Sequence, residues 1–240
     1  LQPGNLRNNE SPEMHMRDLK PASELARKFG VKCLMFGGPG SGKTPLIMTA
    51  PRPVLCVVEP GMLSMRQATN IPAFEAYTPE RIEEFFDWAF RSPEARNFDT
   101  FGFDSISQVA EIVLTQELKR NKDGRKAYGE MSRRVMDWVN GLYFLPNKHV
   151  YLIAKQASVD EGGVMRRKPY FPGQDLNVKV PHLYDEILHI GPTNVPGMQG
   201  TQTAIRTKEA FDIMARDRSG KLAELEPPHL GNLFAKCMQD

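Results

Sequence analysis

The chain has 240 residues, 40% hydrophobic and 25% charged, which is enough apolar material for one large core and the ordinary balance of a folded domain. Its formal net charge of +2 excludes any argument for nucleic-acid binding from global charge, so such binding has to rest on local patches. The three cysteines, Cys33, Cys56 and Cys237, show neither metal-ligand spacing nor a disulfide framework, which fits a reducing cytoplasm.

Residues 1–19 read as a disordered N-terminal tail, polar at its start and without the apolar segment of a secretion signal. No apolar run reaches the ~18 residues of a membrane span. Residues 20–240 read as one folded core. The stretch from Lys20 to Gly30 predicts a short helix stopped by its glycine. Val31–Phe36 is an apolar run that suits a buried strand, and Lys43–Ala50 predicts a helix. Pro53–Val58 is a second strand. Thr78-Pro79 supplies a cap and a first-turn proline for a helix over Pro79–Arg91, with Ile82, Phe85, Phe86, Ala89 and Phe90 on one face.

Thr100–Asp104 is a third strand ending in an acid, and Ile106–Leu118 a helix. A basic, glycine-containing turn over 119–125 is expected to break it before a second helix from about Met131 to Leu145. Val150–Ala154 is a fourth strand, and residues 157–180 read as a long loop. His182–Ile190 returns to the sheet. Thr203–Ile205 and Phe211–Ala215 look like two late strands joined by a turn, and Pro228–Met238 like a closing helix. Continuous apolar strands alternating with helices predict an α/β fold: a mostly parallel central sheet, helices on both faces and a late antiparallel strand pair.

Between the first strand and its helix, Gly37-Gly38-Pro39-Gly40-Ser41-Gly42-Lys43-Thr44 satisfies G-x-x-x-x-G-K-[ST] in full. Wrapping a triphosphate needs several backbone N–H groups aimed at one anion, which glycines permit. The start of the following helix adds positive potential. Lys43 supplies a point charge for the β- and γ-phosphates of ATP, and the Thr44 hydroxyl is a hard oxygen for Mg²⁺. Pro45 falls in the first helical turn, where its missing N–H costs little.

Three further residues fall at strand ends. Asp104 is a candidate for the Mg²⁺ shell, or the cap of the helix from Ile106. Glu59 is placed next to or near the phosphate-loop strand, where it would orient the water attacking the γ-phosphate; otherwise it is a loop carboxylate before Pro60-Gly61. Gln156 is a γ-phosphate sensor or a solvated loop amide. His182 and His189 have no ligand spacing and read as packing or surface residues rather than metal ligands.

This ordered set resembles the ATPase core of RecA-type recombinases, and more closely the phage-encoded RecA-like P-loop ATPases of the AAA type that include ATP-dependent single-strand annealing proteins. The residues that carry the resemblance are 37–44, V-V-E-P-G at 57–61, F-D-S-I at 103–106, D-W at 137–138, P-H-L-Y-D-E-I-L at 181–188 and A-R-D-R-S-G at 215–220. It implies an ATPase with Lys43 and Thr44 on phosphate and metal, Asp104 in the metal shell, Glu59 on the attacking water and Gln156 as sensor. It also implies that Arg216 and Arg218 reach the ATP of a neighbouring subunit in a homo-oligomer, ring or filament, with ATP at subunit interfaces. The alternative is a solvated strand end. No separate polymerisation domain is visible. The implied setting is the host cytoplasm, with single-stranded DNA and a phage single-strand-binding protein as partners and no membrane.

Two basic stretches are candidates for DNA contact: Lys119, Arg120, Lys122, Arg125 and Lys126 in the first, and Arg166, Arg167, Lys168 and Tyr170 in the second. Single strands are held by cations along the backbone and by aromatic faces under the bases. The alternatives are a solvated charged turn and a lid loop. The expected function is DNA-stimulated ATP hydrolysis serving annealing or recombination. A nucleotide-gated loader and a small-molecule phosphotransferase, with Arg166 and Arg167 in its lid, are the rival readings.

Overall fold

The computed structural model describes residues 19–240; apart from Leu19, the expected tail lies outside the described residues. The strands are β1 (Lys32–Phe36), β2 (Pro53–Val57), β3 (Ala73–Glu75), β4 (Thr100–Asp104), β5 (His149–Asp160), β6 (Met165–Tyr170), β7 (Glu186–Asn194), β8 (Thr201–Arg206), β9 (Arg216–Asp217) and β10 (Leu225–Glu226). The α-helices are α1 (Ala22–Ala26), α2 (Pro79–Arg91), α3 (Ile106–Arg120), α4 (Gly124–Tyr143), α5 (Asp175–Leu183) and α6 (Leu230–Cys237).

Strand periodicity builds two cores, one on each face of the sheet. Leu34, Phe36, Phe101, Phe103, Val150, Leu152 and Ala154 face the larger core, with α2, α3, α4 and α5. Cys33, Met35, Leu55, Val57, Tyr151 and Ile153 face the smaller one, with α6 and the 3₁₀ turn Pro45–Thr49. Burial on both faces explains why these strands read as unbroken apolar runs. In the larger core the Phe86 ring stacks on Trp138 at 4.7 Å and on Phe103 at 5.0 Å; truncating it to Ala would cost about 3–5 kcal/mol.

The sheet runs β10-β8-β7-β1-β5-β4-β2-β3. From β7 to β3 neighbouring strands are parallel, while β8 and β10 extend the sheet antiparallel. This is the α/β P-loop NTPase fold, with helices on both faces as expected. The insertion of β5 and β4 between β1 and β2 corrects one placement: Glu59, just beyond β2, does not follow a strand adjacent to β1.

Thr78 accepts from Arg81 N before α2, with Pro79 at its first position, as the sequence indicates. Before α3 the cap is Ser105, which accepts from Gln108 N, and not Asp104. Four expectations are corrected. Residues 43–50 form no α-helix but a 3₁₀ turn, because Pro45 lacks an N–H and Ala50, preceding Pro51, is driven to extended geometry. The basic turn shrinks to 121–123, since Asp123 caps α4 well before its apolar stripe begins. Residues 157–180 are no loop: β5 runs on to Asp160, turns through Gly162 and Gly163 at positive φ, and pairs with β6 before α5. Phe211–Ala215 is not a strand; the chain there makes only isolated bridges at Ala210 and Ile213, and β9 and β10 take the late pairing.

Candidate nucleotide site

The carboxyl ends of the parallel strands gather the candidate phosphate-binding groups. β1 delivers Gly37 against Ile190 of β7, where a Cβ would meet the Ile190 carbonyl oxygen at 2.2 Å; only glycine fits. Gly40 and Gly42 adopt φ of 72° and 90°, the left-handed geometry that turns the loop back on itself. The loop is fixed from below by Tyr151 of β5, whose buried hydroxyl donates to Lys43 O at 2.8 Å. Because only a 3₁₀ turn of five residues follows, the loop amides rather than a long helix dipole supply the positive potential.

Lys43 Nζ donates to Gly37 O and Gly38 O, each at 2.7 Å, and to Ser41 Oγ at 3.3 Å. Its ammonium is thus folded into the loop it serves. Burial lowers its pKa, against the opposing charges of Asp104 and Glu59. Thr44 Oγ1 donates to Asp104 Oδ2, so the hydroxyl and the strand-end acid, 60 residues apart, share one spot. Burial pushes the Asp104 carboxyl above its usual range; the Thr44 hydrogen bond pulls it back, Glu59 adds to the rise and Lys43 opposes it. A half-buried, partly desolvated carboxylate touching a hydroxyl is a donor set suited to a hard cation, and the pair fits Mg²⁺.

Glu59 comes to the same place from beyond β2. Its Oε1 accepts from Ser105 Oγ and lies 4.0 Å from Lys155 Nζ. Lys155 in turn donates to Gln108 Oε1 at 2.6 Å and Glu111 Oε2 at 2.7 Å. Sequence reasoning missed Lys155, which has no motif and whose partners on α3 lie more than forty residues away in the chain. Gln156 sits two residues past Ala154, the partner of Phe36 in the register, and its Oε1 lies 3.1 Å from His189 Nε2. His182 is exposed and His189 buried, and among the described residues no cluster suited to a metal ion forms from His, Cys, Asp and Glu.

Arg216 and Arg218 are not brought to this site. They lie by the amino end of β7, where Arg216 pairs with Ile187. Arg216 Nη2 donates to Pro181 O at 2.6 Å and to Tyr184 O. Arg218 donates to His182 O at 3.0 Å, Leu183 O at 3.3 Å and Asp185 Oδ1 at 2.9 Å. Together they cap the carbonyls that end α5.

The two basic stretches differ. Lys119, Lys122, Arg125 and Lys126 are exposed, and among the described residues none of the four is in an ion pair, while Arg120 pairs with Glu117 at 3.5 Å. On the hairpin, Arg166 pairs with Glu209 and Glu161, Arg167 with Asp212, and Lys168 with Glu161. Tyr170 is half-buried and its carbonyl accepts from Ser107 Oγ at 2.6 Å. No helix among the described residues is long and apolar enough to cross a membrane.

The sequence matches the AAA domain family over residues 30–219, from just before β1 through β9. A KaiC-like protein from the hyperthermophilic archaeon Pyrococcus horikoshii OT3 is similar in structure, with 13% identity and a TM-score of 0.42 over 79% of this chain and 82% of that one. No curated protein matches the sequence.

Proposed function

The chain belongs to the AAA domain family, and on that premise we propose that it is a RecA-like ATPase whose ATP cycle drives the binding and annealing of single-stranded DNA. The observation that carries the ATPase reading is the meeting of Thr44 with Asp104 beside Lys43, with Glu59 held alongside.

The loop amides would receive the phosphates, and Lys43 would exchange its loop carbonyls for β- and γ-phosphate oxygens, a stronger charge-assisted bond. Thr44 and Asp104 would hold Mg²⁺, which when bound neutralises charge between the phosphates. Glu59 would leave Ser105 to accept a hydrogen bond from the attacking water and orient it towards the γ-phosphorus. Gln156 would donate its amide hydrogens to a γ-phosphate oxygen and register its loss.

The α3–α4 turn supports the DNA reading better than the hairpin does. Its exposed cations Lys119, Lys122, Arg125 and Lys126 are not engaged by acids of the described chain, whereas those of the hairpin are. A homo-oligomer with ATP between subunits belongs to the same proposal. Arg216 and Arg218 lie away from their own phosphate loop, at the amino end of β7, and would serve a neighbour's ATP by releasing the α5 carbonyls they now hold.

The test is the steady-state ATPase rate with and without single-stranded DNA at two salt concentrations. The proposal expects a rate that rises with DNA and a rise that weakens in high salt. An unchanged rate together with no salt-sensitive DNA binding refutes the DNA half and leaves a plain nucleotide switch.

A further inference from the structure

We infer that His189 is a positioning residue for Gln156, holding its amide so that the amide hydrogens face the phosphate loop; this rests on Gln156 acting as γ-phosphate sensor. The two residues stand on β5 and β7, the strands that flank β1. The register sets Ala154 and His189 on either side of Phe36, the last residue before the loop. The contact between Gln156 Oε1 and His189 Nε2, at 3.1 Å, therefore joins the two flanking strands at the point where β1 gives way to the loop.

The chemistry of that contact is directional. An amide oxygen only accepts, so His189 Nε2 carries the proton and donates. This occupies the oxygen of Gln156 and leaves its NH₂ as the end available to a phosphate oxygen. An unrestrained Gln can present either end, and its oxygen would repel the γ-phosphate. The ring itself is fixed: it is 5% exposed, and it meets the Phe36 ring at 5.1 Å and 63°. Gly191 leaves it room, since a Cβ there would come 3.0 Å from His189 Cε1.

The groups that face the ring come from every element around it: Arg167 of β6, Arg206 of β8, Asp212 and Lys43. Burial, reinforced by the three cations and opposed by Asp212, lowers the His189 pKa to about 4, so the ring is neutral at physiological pH. Packing against Phe36 alone does not call for a histidine here, because phenylalanine also offers a flat aromatic ring, only somewhat larger. What the imidazole adds is one N–H aimed at Gln156. Arg167 is also stitched by its backbone to Asp212 and Met214, which fixes two of the charges that act on the ring.

The experiment compares kcat and MgATP affinity for the parent, Gln156→Ala, His189→Phe, His189→Asn and the double variant Gln156→Ala/His189→Phe, with melting temperatures as the folding control. We expect His189→Phe to lower kcat about tenfold, the scale of one hydrogen bond serving a charged group, with affinity changed less than about twofold. His189→Asn, which keeps a donor, should recover part of the loss, and His189→Phe should have no further effect once Gln156 is Ala. Parent-like kcat in His189→Phe, or losses that multiply in the double variant, overturns the inference while leaving Gln156 as sensor. Parent-like kcat in Gln156→Ala instead overturns the sensor reading and the inference together. If His189→Phe does not fold, His189→Asn against His189→Ala decides: equal kcat in the two overturns the proposal.

Discussion

The two ends of the sheet gather charge in different ways. At the carboxyl end, Lys43, Asp104, Glu59 and Lys155 meet on a glycine loop and on side chains free to swing, so each present partner can be exchanged for another. At the amino end, partners are fixed backbone or buried side chains. Lys32 is fully buried and donates to Leu145 O at 3.4 Å and to Lys148 O, and burial, opposed by Asp185, holds its pKa near 8. Arg216 and Arg218 close the end of α5. Burial shifts ionisation at both ends, for Lys43 and Asp104 at one and for Lys32 and Glu186 at the other; on the proposed function only the first pair serves ATP, and partners that can be exchanged set it apart.

The contrast breaks most sharply at Glu59. Glu59→Gln should cut ATP hydrolysis by about 10²–10⁴-fold while a fluorescent ATP analogue still binds, as equilibrium titration would read. Loss of binding instead would make Glu59 a structural residue like those at the amino end.

Glu186 is the matching test at the amino end. It is 1% exposed, and burial, with Asp217 next, raises its pKa from 4.5 to about 8. The folded protein thus keeps this proton across a window in which the unfolded chain has lost it. Stability should fall as pH rises from about 4.5 to about 8 and then level off. Asp217 works the other way at acid pH: against burial, Lys208, Ser219 and nearby amides hold it at about 2, so its contribution is present above 3.8 and lost as pH falls towards 2. Glu186→Gln copies the protonated acid and should raise stability at pH 9 by a few kcal/mol, on the order of 2–4, in urea unfolding. ATP hydrolysis should not change, because the residue lies at the far end of the sheet.

The smallest effect separates the basic stretches. Lys122→Ala/Lys126→Ala should flatten the dependence of log K on log salt for a single strand by about 0.7 for each phosphate that the variant no longer neutralises. Arg166→Ala/Lys168→Ala should change that slope less, since both side chains already pair with acids. Equal changes would return the hairpin to the interface.

Strands β1, β2, β4 and the first half of β5 were legible because each buries both faces, and the phosphate loop because its glycines are required by close approach and by positive φ. Glu59 and Asp104 were legible as strand-end acids. What the sequence could not display were pairings between distant segments. The β5–β6 hairpin hid because Arg166, Arg167 and Lys168 look solvated until Glu161, Glu209 and Asp212 are seen beside them. The early start of α4 hid because its first turn is polar and exposed apart from Ala127, leaving the apolar period silent there. Lys155 and His189 carry no motif of their own; each matters through a partner on another strand or helix.

The most direct test of the nucleotide site is MgATP binding by the parent and by Lys43→Ala, measured by titration calorimetry on protein shown to be folded. Saturable binding is expected of the parent, and affinity weaker by at least about tenfold of the variant, whose removed ammonium would carry a charge-assisted bond to phosphate. Equal affinity in the two proteins would mean that the triphosphate does not sit in the 37–44 loop, and the assignment of Thr44, Asp104 and Glu59 would fall with it.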